Sequence, residues 1–328
     1  INLVFLEHLG SEMSGFIEYF CKKNNIECYL LYEMFFKNKF FFINSRNFLA
    51  YSNNKINTKV KNELINKYNF FKNKKTFSPN ENNYQLIKKN ERKFNLSKHV
   101  NNFFLKNDKI LKLHEIIIFK IKKIIRLIYL KKVSRNNIKN RYVVFYLSFQ
   151  PEFSTYYLSE YGTNQFELIK KIREFLPSHI DLVVKEHPHQ IRTKIRDVNF
   201  YRRINCLKNT YLINPDYNSY KLLKNSLFIF SISGSIAVEA LIFNKITVIF
   251  SKMFYRKFKN INYIDSNLKL EKTINNLLKI KKSKNYLNDF IKLNRLSYEG
   301  SLLFSGNDPK LIRYTIQSIE NFINYRLK

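Results

Sequence analysis

The chain has 328 residues, 45% of them apolar, with three cysteines and a formal charge of +33. That length suits two domains of ordinary size, and the apolar share suffices for a sizeable core. Cys21, Cys28 and Cys206 are odd in number and match no zinc spacing, which excludes a zinc or disulfide framework and leaves reduced, buried thiols as in a cytoplasmic protein. No signal peptide and no run of 18 uncharged apolar residues is present, which excludes an evident membrane-spanning helix.

The charge would suit a nucleic-acid binder, but Lys, Asn, Ile, Phe and Tyr dominate, and all have A/T-rich codons. Biased base composition raises lysine whatever the function, so most of the charge reads as solvated faces. The remainder can serve an anionic membrane surface or a polyanionic glycan. A non-catalytic, basic nucleic-acid-binding protein is the competing class. The chain carries no recognisable nucleic-acid motif, so nucleic acid is not an expected partner.

The chain opens on Ile1, directly in a strand-like run, as a fragment would. Asn2 to Leu6 reads as a strand. Ser14 to Asn24 has helical spacing through Ile17, Phe20 and Cys21, and Ile26 to Tyr32 reads as a second strand. Residues 51–140 are rich in Lys and Asn, with a weak turn signal at Ser78-Pro79-Asn80-Glu81. Within them, Lys109 to Lys132 predicts one long helix of isoleucines and leucines interleaved with basic residues. It suits core or inter-domain packing, an anionic membrane surface, or coiled-coil pairing.

From residue 142 apolar runs alternate with amphipathic ones. Strands are expected at Tyr142–Ser148, Ile180–Lys185, Thr210–Ile213, Leu227–Ile232 and Ile246–Phe250. Helices are expected at Asn164–Phe175, Phe200–Leu207, Tyr217–Lys224 and Ser235–Phe243. Continuous apolar strands between amphipathic helices predict a parallel sheet covered on both faces. Such a doubly wound α/β sheet binds ligands beyond the carboxyl ends of its strands.

Three polar turns fall at that edge. Ser233-Gly234-Ser235 separates a buried strand from a helix, so backbone N–H groups and two hydroxyls can face an anion. Glu239, one turn on, can accept from ribose or sugar hydroxyls. The plain alternative is Ser235 as an N-cap and Glu239 in solvent. Lys185-Glu186-His187-Pro188 places a cation and an imidazole where a leaving phosphate would sit. A solvated loop with a capping histidine is its plain alternative. Gln150-Pro151-Glu152 follows the first strand of the sheet; Glu152 is a carboxylate placed to deprotonate an acceptor hydroxyl or act as nucleophile. In isolation that segment reads as a helix start.

Together these turns resemble the capsule polysaccharide biosynthesis family, with its Kdo-transferase-like GT-B glycosyltransferases. The match runs through Gln150-Pro151-Glu152, Ser154-Thr155, Gly162, Gln165, Pro177, Lys185-Glu186-His187-Pro188, Phe200-Tyr201, Leu212-Ile213, Asp216, Ser219, Ser233-Gly234-Ser235, Glu239-Ala240 and Phe254-Tyr255. The resemblance implies a GT-B-like fold. Residues 1–50 would be a partial, acceptor-side α/β domain, 51–140 a basic helical linker, and 141–328 a Rossmann-like nucleotide-sugar-binding domain.

It further implies a nucleotide-sugar donor such as CMP-Kdo, used as substrate with no cofactor or metal, and a glycan or glycolipid acceptor at the inner membrane face. Glu152 and His187 would be catalytic. Gln150, Lys185, Ser233, Gly234, Ser235 and Glu239 would bind the donor. A glycerol- or ribitol-phosphate polymer transferase is the neighbouring reading. Departures are Gly234-Ser235 for the family's Gly-Thr, Asn244-Lys245-Ile246 for its Gly-Lys-Pro, and Phe153 and Ser154 where relatives carry acids. Asn244 tolerates the left-handed conformation that such a turn needs.

Overall fold

The computed structural model describes residues 3–7, 12–33, 39–51, 113–150, 155, 158–162, 164–192, 196–280, 286–302 and 309–327. The Ser78–Glu81 turn and Glu152 lie outside them. The chain begins with β1 (Leu3–Glu7), α1 (Glu12–Lys23), β2 (Glu27–Glu33), β3 (Lys39–Asn44) and β4 (Leu49–Ala50). A long helix α2 (Leu113–Val133) then leads into β5 (Tyr142–Tyr146), α3 (Gln165–Phe175), β6 (Asp181–Lys185), α4 (Pro188–Arg192), α5 (Val198–Asn205) and β7 (Thr210–Leu212). Next come α6 (Ser219–Asn225), β8 (Ile229–Ser231), α7 (Ile236–Ile242), β9 (Thr247–Ile249), a 3-10 turn (Phe254–Lys257) and β10 (Ile261–Tyr263). The chain ends in α8 (Asn267–Leu278), α9 (Leu287–Arg295), β11 (Tyr298–Glu299) and α10 (Pro309–Leu327).

The larger domain is a six-stranded, wholly parallel sheet in the order β10-β9-β8-β5-β6-β7. Every residue of β5 and of β6 is buried. Alternation along the strands divides them between two cores. Val143, Phe145, Leu182 and Val184 pack with Leu130 of α2, Ile169 and Ile172 of α3, Tyr201 and Ile204 of α5, and Leu270 and Ile274 of α8. Tyr142, Val144, Tyr146 and Val183 pack with Leu222, Leu223 and Ala240 on the opposite face. A strand buried on both faces needs this near-continuous apolar composition.

Polar residues set the element ends. Asn164 caps α3 by accepting from the Glu167 N–H, and Leu176 leaves the helix in extended conformation ahead of Pro177. Asn244 sits at φ 54° after α7, the left-handed turn its side chain tolerates.

The smaller domain is a mixed sheet, β1-β2-β3-β11, with β4 paired to β3. β1 and β2 are parallel and the remaining pairs antiparallel. Its last strand and covering helix come from the far end of the chain. Phe322 of α10 stacks on Phe42 at 4.1 Å and meets Tyr29 edge-on at 4.8 Å, and Arg326 pairs with Glu27. The boundary expected at 141–328 is therefore corrected: β11 and α10 belong to the first sheet, which the first 50 residues alone do not complete. A shared core joins the domains, with Leu30, Phe41 and Ile43 against Leu241, Phe254 and Phe290. Arg256 ties them further through the carbonyls of Asn47 and Phe48.

Cys21 and Cys28 are buried free thiols, and burial pushes the Cys28 thiol up to about 12. Cys206 differs from expectation. It ends α5 on the solvent side and is exposed.

Candidate active site

Numbered within its own domain, the sheet runs 3-2-1-4-5-6, and the order reverses between β5 and β8. Chain leaving β5 goes to one side, and chain leaving β8 to the other. A crevice opens at such a switch point, outside the carboxyl ends. The three polar turns all lie there: residues 147–150 after β5, Lys185–Pro188 after β6, and Ile232–Ser235 after β8. Parallel strands are spaced about 4.8 Å apart, so the β6 and β8 turns flank the β5 turn at roughly 10 Å from each other.

The turn after β6 is held by a buried ion pair. Glu186, 1% exposed, accepts from Arg196 Nε at 2.9 Å, from the Tyr201 hydroxyl at 2.8 Å and from the His187 N–H at 2.7 Å. Burial and then the Glu186 charge push the Tyr201 hydroxyl far up, so it stays a donor. Arg196 also donates to Gln150 Oε1 and to the Ser148 carbonyl, tying the β6 turn to the β5 turn.

The remaining ties are amide pairs. Gln150 and Gln190 exchange bonds of 2.7 and 2.8 Å, and Gln165 does the same with the Ser148 backbone at 2.9 and 3.1 Å. Gln150 Nε2 donates to the Gly162 carbonyl at 2.6 Å. Only glycine fits at 162, because a Cβ there would lie 2.0 Å from the Thr155 carbonyl oxygen.

His187 does two things. Its Nδ1 accepts from the His189 N–H at 3.2 Å and so caps α4, whose first residue is Pro188. The loop expected around Pro188 is therefore a helix start. With Nδ1 accepting, Nε2 is the ring nitrogen that can carry an N–H and donate. The half-buried ring packs beside Phe149, their centroids 6.0 Å apart.

In the turn after β8, Gly234 donates to Ser231 Oγ at 3.2 Å, and its carbonyl accepts from the Tyr255 hydroxyl at 3.0 Å. A Cβ at 234 would come 3.0 Å from Ser231 Oγ, so a close approach favours glycine here. Ser235 makes no side-chain cap bond. Its hydroxyl donates to Glu239 Oε1 at 3.0 Å. The N–H groups of Ser235 and Ile236 have no protein acceptor among the described residues.

Two expected donor ligands are otherwise engaged. Lys185 is 3% exposed, and its ammonium donates to the carbonyls of Asn214, Pro215 and Tyr217 at 3.0, 2.6 and 2.8 Å. Burial holds it down to about 8, against the pull of Asp216 and Glu186. It has no donor left for a phosphate and instead locks the loop after β7. Gln150 likewise uses its amide on Arg196 and Gly162, so it joins turns rather than reaching the crevice. Sequence reasoning assigned no role to Glu186, Arg196, Gln190 or Tyr201. A glutamate directly after a wholly buried strand was the available signal, since a charge there requires a partner.

Further along the same edge, a cleft of about 320 Å³ separates the domains. Lys252, Asp265 and Ser159–Tyr161 of the larger domain face Glu18, Lys22 and Arg46 of the smaller one. Among the described residues, no three His, Cys, Asp or Glu side chains gather to hold a metal ion.

Fold and site together define a doubly wound α/β protein with a built polar edge at its switch point and a second, smaller α/β domain against it. No protein-family model and no curated protein sequence matches the chain. Solved structures do align with it. Thermosulfurimonas dismutans KpsC, a beta Kdo 2,7 transferase, aligns over 92% of this chain and 93% of its own, at 13% identity and a TM-score of 0.42. The beta Kdo 2,4 transferase of the same organism's KpsC aligns over 91% and 80%, at 11% identity and 0.41. S. aureus MnaA, solved with UDP, aligns over 48% of this chain and 43% of its own, at 16% identity and 0.34. The chain thus spans less than half the length of MnaA. Strand order and connections, rather than these alignments, define the fold.

Proposed function

We propose that the chain is a glycosyltransferase of surface-polysaccharide assembly that draws its sugar from a nucleotide-linked donor. The observation carrying this reading is the convergence of the turns after β5, β6 and β8 at the edge where strand order reverses. The donor's phosphate lies between His187 Nε2–H and the turn of Ser233, Gly234 and Ser235, whose hydroxyls and free N–H groups supply neutral donors. Glu239 accepts from a ribose or sugar hydroxyl, for which the Ser235 hydroxyl swings off it. The bond from the anomeric carbon to the phosphate oxygen breaks, and His187 donates to that oxygen as negative charge develops. Glu152 takes the proton of the acceptor hydroxyl, whose oxygen forms the new bond. Lys185 and Gln150 act at one remove, by fixing the loops. The acceptor is a glycan or glycolipid at the inner membrane face.

A thermal-shift panel of CMP-, CDP-, UDP- and GDP-linked donors identifies the nucleotide, and a CDP-alditol response would redirect the reading to polyol-phosphate transfer. With the donor in hand, His187→Ala lowers turnover by about 100-fold or more, the lower range for a general acid or base. Near wild-type transfer by that variant removes His187 from the chemistry.

A further inference from the structure

The long helix α2 has two apolar faces. Leu130 is fully buried and Leu127 partly so, both against the larger domain. Arg126–Asp197 and Lys131–Asp216 ion pairs pin the helix there at 3.2 and 3.0 Å. At 100° per residue the opposite side carries Ile118, Ile121, Ile125 and Ile128, with Ile124 beside them. These five side chains are 45 to 62% exposed. Single exposed apolar residues are ordinary, but five isoleucines on one helix face form a continuous strip.

Basic residues border that strip. The helical angles place Lys120 and Lys131 along one side, Lys122 along the other and Lys132 within it, all four exposed, Lys131 being the one held by Asp216. From Ile118 to Val133 the sequence holds no acidic residue. Among the described residues no helix is long and apolar enough to cross a membrane.

We infer that this face of α2 docks on an anionic lipid bilayer, isoleucines in the acyl boundary and lysines among the headgroups. Charge complementarity selects this occupant. A second copy meeting the strip about a twofold axis would bring Lys122 and Lys132 of each copy onto the same lysine-bearing face of the other. Anionic headgroups neutralise them, and isoleucines alone supply the apolar area an interfacial helix buries. Because α2 is fixed to the larger domain, docking also fixes how that domain stands on the surface.

The test is co-sedimentation of the full chain with vesicles of equal parts phosphatidylglycerol and phosphatidylcholine. The triple variant Ile121→Ser/Ile125→Ser/Ile128→Ser leaves the charge unchanged and alters only exposed side chains, and an unchanged melting curve verifies its fold. It should bind at least about tenfold more weakly than wild type, given the apolar area removed. Lys120→Gln, Lys122→Gln and Lys132→Gln should each weaken binding by roughly fivefold, and pure phosphatidylcholine should bind little. Failure of wild type to bind, or a serine variant that binds equally, overturns the inference; the second result would assign binding to the general basic surface. A wild-type dimer that the same serines convert to monomer overturns it in favour of a second copy.

Discussion

Replacing Arg196 by Met tests the internal frame of the site. Arg196 and Glu186 are 7% and 1% exposed at the side chain, so water does not screen their pair. Met keeps the apolar stem and removes the guanidinium, leaving the Glu186 carboxylate with the Tyr201 hydroxyl and the His187 N–H as donors. The Ser148 carbonyl and Gln150 Oε1 lose the same partner. Breaking a buried pair from one side costs about 3 to 5 kcal/mol. At roughly 2 to 4 °C per kcal/mol for a domain near this size, the melting temperature should fall by about 6 to 20 °C. Urea unfolding followed by circular dichroism measures the loss. A double-mutant cycle with Glu186→Gln should return a coupling of at least about 2 kcal/mol, because the double variant no longer buries an unpaired charge. A loss below about 1 kcal/mol for Arg196→Met, or additive single effects, would refute the reasoning that this pair holds the β5 and β6 turns together.

Lys185 makes a pH-dependent contribution. Its folded value of about 8 lies below the ordinary 10.5, so between those values the unfolded chain binds more protons and this group's contribution to stability rises with pH. From pH 7 to 9.5 the gain is about 2 kcal/mol, estimated at roughly 1.4 kcal/mol per pKa unit; Lys185→Met should lack it, and parallel pH slopes for the two proteins would contradict the burial of that ammonium. In thiol titration of the native protein, Cys206 alone should react promptly, with Cys21 and Cys28 following only on unfolding. Prompt reaction of two or three thiols would contradict the packing of α1 on β2.

The larger domain was legible because its signals are local. Wholly apolar strands such as Tyr142–Tyr146, helix stops such as Pro177 and the left-handed Asn244 each declare themselves within a few residues. The smaller domain was legible only as far as Tyr32. Its last strand and covering helix come from the far end of the chain: Tyr298 lies opposite Phe40, and Phe322 fills the aromatic layer over Phe42. No periodicity in a single segment encodes such a pairing.

The site divides in the same way. Positions of the turns followed from strand ends, but partners did not. Lys185 looks in the sequence like a free cation beside a histidine; three carbonyls from the loop after β7 claim it. Arg196, unremarked in a basic chain, joins two turns, as Gln190 does through Gln150.

The central claim is that His187 and the turn of Ser233, Gly234 and Ser235 grip one anion. A crystal structure with the nucleotide that most stabilises the protein tests it most directly. It should place a phosphate oxygen about 3 Å from His187 Nε2 and another at that distance from the Ser235 hydroxyl or N–H. A nucleotide seated instead in the cleft between Lys22 and Lys252, with His187 and Ser235 both beyond hydrogen-bond reach, would contradict it.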